Sequence, residues 1–248
     1  MPILDCVHNA NGLWVAGSIS SNGLYYSLDG KTWTQSNITS GDFYDIYYAN
    51  GLWVACDYGN GLYYSLDGKI WTQSNMDSGS FECVYNANGL WVAGGGNGLY
   101  YSTDGKIWTR SNITDIDISC VYNANGLWVA GSISSNGLYY STDGMTWTQS
   151  NTDSGDFYYV YYTNGLWVAC SVGDSGLYYS LDGKIWTQSN ITNGDFYYVY
   201  YANGLWVACS IGNSGLYYSE SSGDNNILRV INGEWAMVTI TNAEEVAY

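Results

Sequence analysis

The chain holds few residues that could do chemistry. Beside its carboxylates it has one histidine, His8, two arginines, Arg110 and Arg229, and six cysteines. A Ser or Cys nucleophile needs a neighbouring base. His8 stands in a column that holds Tyr47, Tyr85, Tyr122, Tyr161 and Tyr200 in the other repeats, so it is read as a packing residue. No GxSxG, phosphate-loop or HExxH spacing occurs. Three acids, Asp5, Asp45 and Glu82, open the first strands of successive repeats. Carboxylates brought together there could hydrolyse a glycoside or bind calcium, but solvated acids at strand starts are the more common arrangement. No catalytic residue, metal site or cofactor is expected.

A repeat positions these residues. The hexapeptide NGLWVA begins at Asn11, Asn50, Asn88, Asn125, Asn164 and Asn203, and GLYYS follows each copy, from Gly23 to Gly215. A period near 40 residues with four short strands is the pattern of a propeller blade. One unit reads as strands over 43–49, 52–56, 61–65 and 71–75. The Asn-Gly between the first two fits a two-residue hairpin that needs positive φ at both positions. The expected fold is all-β: a six-bladed β-propeller of four-stranded antiparallel blades over residues 1–222, with a tail over 223–248.

Ser-x-Asp-Gly-x-x-Trp joins the third and fourth strands at Ser27–Trp33, Ser65–Trp71, Ser102–Trp108, Ser141–Trp147 and Ser180–Trp186. Short Asp and Ser side chains bond turn amides, and the Trp folds over the blade. These motifs resemble the Asp-box repeat of sialidase-like β-propellers, over residues 1 to about 222. The sixth copy, SESSGDNN from Ser219, is degenerate and is read as lacking the Trp. The resemblance implies that first strands line a central channel. Sialidases of this kind hold the substrate carboxylate with three arginines, and two arginines cannot supply that triad.

The cysteines, one per unit, are Cys6, Cys56, Cys83, Cys120, Cys170 and Cys209. Fixing the Asn-Gly hairpins pairs Cys6 with Gly17, Asp45 with Cys56, Cys83 with Gly94, Cys120 with Gly131, Tyr159 with Cys170 and Tyr198 with Cys209. One Cys at the same cross-strand pair of every unit reads as a packing slot rather than a disulfide framework. A ring of thiols around a soft metal is the alternative. Six unpaired thiols fit a reducing compartment.

The net charge of −16, with six basic residues, leaves almost nothing to neutralise phosphates, so neither nucleic acid nor an anionic membrane is an expected partner. No segment approaches the length of a membrane span. The opening MPILDCVHNANG has no basic region or long apolar run, so synthesis in the cytoplasm without a signal peptide is expected.

Length varies only in the loops between second and third strands, which lie at the same end as the loops leading into the first strands. That end carries Asp, Asn, Ser, Gly and Tyr in changing combinations. Tyrosine faces stack on sugar rings while Asp and Asn bond hydroxyls, and the same mixture suits a protein partner. The candidate ligand-binding residues are Asp42, Tyr44, Asp57, Tyr58, Asp156, Tyr158, Asp174, Asp195 and Tyr197. In the tail, ILRVI and EWAMVTI around Asn232-Gly233 read as a hairpin, or ILRVI as the missing strand of blade six. ILRVINGEWAM also resembles short segments near attachment regions of phage virion proteins. That resemblance implies a virion-associated adhesin or decoration protein, docked to virion structural proteins through 223–248. The reading is a non-enzymatic module for glycans or a cell-surface ligand. A protein-docking module without sugar binding and a glycoside hydrolase using channel carboxylates are its rivals.

Overall fold

The computed structural model describes residues 3–152, 154–173, 175–211, 215–220 and 236–237 of the chain. These form strands and turns without a helix, in six consecutive four-strand meanders. Unit one holds β1 (Ile3–Ala10), β2 (Leu13–Ile19), β3 (Leu24–Ser27) and β4 (Thr34–Gln35). Unit two holds β5 (Phe43–Ala49), β6 (Leu52–Gly59), β7 (Gly61–Ser65) and β8 (Thr72–Gln73). Unit three holds β9 (Gly79–Ala87), β10 (Leu90–Gly95), β11 (Gly98–Ser102) and β12 (Thr109–Thr114). Unit four holds β13 (Ile118–Ala124), β14 (Leu127–Ser132), β15 (Leu138–Ser141) and β16 (Thr148–Gln149). Unit five holds β17 (Asp156–Thr163), β18 (Leu166–Val172), β19 (Leu177–Ser180) and β20 (Thr187–Gln188). Unit six holds β21 (Asp195–Ala202), β22 (Leu205–Ile211), β23 (Gly215–Glu220) and β24 (Ala236–Met237).

All pairing is antiparallel between named strands, and four of the five sheets are single units. The fifth joins units two and three, because β6 runs on to Gly59 and pairs Tyr58 with Ser80 of β9. Each hairpin turns on Asn-Gly with positive φ at both residues, as at Asn50 (52°) and Gly51 (80°). A two-residue turn of that hand matches the twist of its strands. It fixes the register, and all six expected cysteine pairs occur, Cys6 with Gly17 through Tyr198 with Cys209. A β-bulge follows each of these pairs toward the variable end.

The packing slot is visible in what Gly leaves out. A Cβ on Gly17 would sit 2.6 Å from Cys6 Sγ and 2.6 Å from Phe43 Cβ of the next unit. The sulfur and the neighbouring ring already fill the volume. All six cysteines are free thiols. Cys56, Cys83, Cys120 and Cys170 are buried and Cys6 is half-buried, whereas Cys209 is exposed, unlike the buried position expected for it.

The core lies between units. Leu13, Val15 and Leu24 of unit one pack with Phe43, Ile46, Trp53, Ala55 and Trp71 of unit two. An equivalent set recurs at the four following junctions, with Trp108, Trp147 and Trp186 in the place of Trp71 at the first three. Along the inner strands the rings form a relay: His8 to Tyr47 at 5.1 Å, Tyr47 to Tyr85 at 4.7 Å and Tyr85 to Tyr122 at 4.9 Å. His8 packs as its column suggested, and burial lowers its pKa.

Fourth strands are shorter than the expected 71–75 span, two residues in every unit but the third. In unit six, Tyr217 pairs with Met237 and Tyr218 with Ala236, the register in which Tyr178 pairs with Gln188 and Tyr179 with Thr187. The strand beside β23 is therefore Ala236–Met237; the ILRVI segment lies outside the described residues. Trp235 precedes Ala236 as Trp186 precedes Thr187. The sixth box therefore has its Trp in sequence, displaced by an insertion after Ser219.

Candidate functional site

Each of the five box carboxylates holds its turn through one oxygen. Asp67 Oδ1 accepts the Ser65 hydroxyl at 3.0 Å and the N–H groups of Lys69 and Ile70 at 2.9 Å each. Ser65 Oγ accepts Gly68 N–H at 2.9 Å, and Trp71 Nε1 donates to Gly68 O at 3.2 Å. In the first box the N–H groups of Thr32 and Lys31 hold Asp29 down at about 2. The last strand then reaches across to the next unit: Asn37 Oδ1 accepts Trp71 N–H at 2.7 Å while its Nδ2 donates to Trp71 O at 2.9 Å. Asn75, Asn112 and Asn151 make the same two-bond clamp on Trp108, Trp147 and Trp186.

At the opposite end the lead-in loops meet the loops between second and third strands. Tyr58 N–H donates to Asp42 O at 2.8 Å and Ile133 N–H to Asp117 O at 2.9 Å. Three of the candidate residues staple these loops from one position. Asp42 Oδ1 accepts Ser21 N–H, Asp156 Oδ1 accepts Ser135 N–H, and Asp195 Oδ1 accepts Gly173 N–H at 2.7 Å. Asp57 is buried. Its register opposite Phe43 puts it in the column of Ser18, Ser132 and Ser171, which are also buried. Asp57 Oδ1 accepts the backbone and side-chain N–H groups of Asn60, both at 3.0 Å, while Oδ2 has no partner. Burial raises its pKa against the pull of those bonds. Asp174 lies outside the described residues.

The tyrosines gather in two pairs. Tyr44 and Tyr58, both exposed, stand 5.3 Å apart, and Tyr158 stands 5.0 Å from the exposed Tyr197. Burial and the Asp42 carboxylate raise Tyr44; burial, Tyr197 and Asp156 raise Tyr158. A weaker push on both comes from Glu82. Glu82 itself is raised by burial and by Asp117.

Asp45 is held differently from Glu82. Its carboxylate accepts Ile46 N–H at 2.8 Å and Val84 N–H of the next unit at 2.9 Å, and burial pushes it up to about 6. It serves as a brace between units two and three. Among the described residues no three His, Cys, Asp or Glu side chains come together as a metal site, and no helix is long and apolar enough to cross a membrane. A cavity of about 300 Å³ opens at the uniform end, between units four and five, lined by Asn125, Tyr162, Trp167, Asp182 and Lys184 among others.

No family model matches the chain, and no curated protein matches it. Solved structures do. The computationally designed Ika8 protein superposes with a TM-score of 0.71 at 8% identity, over 98% of this chain and 78% of that one. An ancestral GH74 enzyme gives 0.71 at 14% identity, over 99% of this chain and 39% of its own, so this chain spans well under half of that enzyme. YCF48 bound to D1 peptide gives 0.66 at 15% identity, over 95% and 82%. At such identities the likeness shows the fold alone: the GH74 and YCF48 neighbours are β-propeller proteins, and the chain has that all-β repeat architecture.

Proposed function

We propose that the six meanders are six Asp-box blades, and that the chain is a non-enzymatic binding module whose variable end recognises glycans. The observation that carries this reading is the pair of tyrosine couples, Tyr44 with Tyr58 and Tyr158 with Tyr197, each beside a carboxylate whose orientation a backbone N–H fixes. Aromatic faces set beside directed acceptors suit a sugar's C–H surface and its hydroxyls. Two similar sites on one arc would add avidity toward a repetitive surface polysaccharide. The catalytic alternative is less well supported: Asp45 is enclosed and braces two backbone amides, which leaves Glu82 without it as a partner for glycoside hydrolysis.

The test is an array of glycans and bacterial polysaccharides probed with purified protein, with and without calcium. Specific binding is expected, falling about tenfold or more when Tyr158 and Tyr197 become Ala, since a lost stacking contact is worth about 1 kcal/mol or more. A blank array with folded protein overturns the glycan reading. The peptide-bound YCF48 neighbour then makes a peptide ligand the next reading to test.

A further inference from the structure

The box turns carry apolar side chains that the turns themselves do not use. Leu28, Leu66, Ile70, Ile107, Leu181 and Ile185 are 56–73% exposed. Among the described residues, the other exposed Leu, Ile and Val side chains are Ile3, Leu4 and Val7 of β1. The repeat shows that the turn does not require them. Thr103 and Thr142 stand in the column of Leu66, and Thr32 and Thr146 in the column of Ile70. In units two and five both columns are apolar at once. There Leu66 and Ile70, with Tyr64, line a cleft of about 290 Å³, and Leu181 and Ile185, with Tyr179, line one of about 280 Å³. Exposed aliphatic residues gathered at one end mark a contact surface.

The charges at this end differ from those of the rest of the chain. All four lysines, Lys31, Lys69, Lys106 and Lys184, follow a box Asp by two residues. Three are held over a ring of the preceding unit: Lys69 over Tyr26 at 5.5 Å, Lys106 over Tyr64 at 5.4 Å and Lys184 over Tyr140 at 5.5 Å. Beside them Asp29, Asp67, Asp104 and Asp182 are exposed, and the turn engages one oxygen of each. Each of these boxes therefore presents both signs of charge beside its apolar residues, a pattern complementary to itself. Elsewhere a chain of net charge −16 repels its own copies. The end is also even. Two-residue Asn-Gly turns and a Ser-to-Trp spacing of six recur through units one to five.

We propose that two copies of this chain dock back to back through their uniform ends, the box leucines and isoleucines of one packing on those of the other. A two-fold contact of this kind is closed, because the same patch serves both partners. Lysines of each copy meet the second oxygens of the other's box carboxylates, which fixes how the two ends are turned. Both variable ends are left facing outward, and the proposal is independent of what they bind.

Sedimentation velocity of the full chain over a concentration series tests this. A dimer is expected. Leu66→Thr, Ile70→Thr, Leu181→Thr and Ile185→Thr, made together, are expected to raise its dissociation constant about tenfold or more. Other boxes already carry Thr at these positions, so the circular dichroism spectrum should not change. Lys69→Glu with Lys184→Glu is expected to weaken the dimer as much, by turning like charges toward each other. A chain that stays monomeric up to about 0.1 mM overturns the proposal. So does a dimer whose dissociation constant neither set of substitutions changes. Loss of that dimer on Val7→Asp would assign the contact instead to the open edge of unit one, where Leu4 and Val7 are 43% and 58% exposed.

Discussion

Asp57 is an exception among its counterparts. Ser18 and Ser132 bury a hydroxyl in the same column and satisfy it on backbone carbonyls, as in Ser132 Oγ to Gly137 O at 2.7 Å. Asp57 buries a carboxylate with one oxygen unpartnered. An unsatisfied buried polar group costs about 1–3 kcal/mol, more if charged. Asp57→Ser is therefore expected to stabilise the protein by about that much at pH 7, read from urea unfolding. The sign follows from its raised folded pKa: the native state binds the proton more tightly, so the penalty is present at neutral pH and is relieved as pH falls through the folded value. The advantage of Asp57→Ser should shrink between neutral pH and the ordinary carboxylate range. The sequence hid this residue. CDYGNG reads as a surface loop, and only the continuation of β6 to Gly59 carries Asp57 into the sheet. Tyr44 and Tyr58 needed no such correction, because alternation alone leaves them outward.

At the scale of elements, the first four junctions are each tied by an Asn from one unit to a Trp backbone in the next. Asn112→Ala removes both bonds to Trp147. It should cost about 1–3 kcal/mol while leaving glycan binding unchanged, as chemical unfolding and the array would show. Register was the most legible feature here. Asn-Gly permits one hairpin geometry, and from it the cysteine pairs follow by counting. The fourth strands were less legible, because their hydrogen bonds end where the box turn and the Asn clamp take over the backbone. The sixth box is hidden in the sequence because sixteen residues separate Ser219 from Trp235 where six separate Ser180 from Trp186. A motif of fixed spacing cannot be found across such an insertion; the pairing of Met237 with Tyr217 reveals it.

The whole molecule behaves as a row of neighbours. Substantial contacts among described residues run within a unit or between consecutive units, so stability is a sum of units and junctions. Native-state hydrogen exchange is expected to show a gradient, with β10 and β14 slowest and β1 fastest. Uniform protection would mean that unit one is covered after all. Spacing makes the number of units plain but not the angle between successive sheets, which no single unit encodes.

The Asn clamp has a practical consequence for making this protein. Asn37 and Asn112 each begin an Asn-Ile-Thr triplet, the acceptor sequence for N-linked glycosylation in a eukaryotic secretory pathway. The nitrogen that would carry the oligosaccharide is the same Nδ2 that donates to Trp71 O or Trp147 O. A chain modified there would reach its final fold with those two clamps obstructed. A bacterial cytoplasm is therefore the expression host that leaves the junctions intact, and a secreted preparation would show weaker stability as an artefact of its attached sugars.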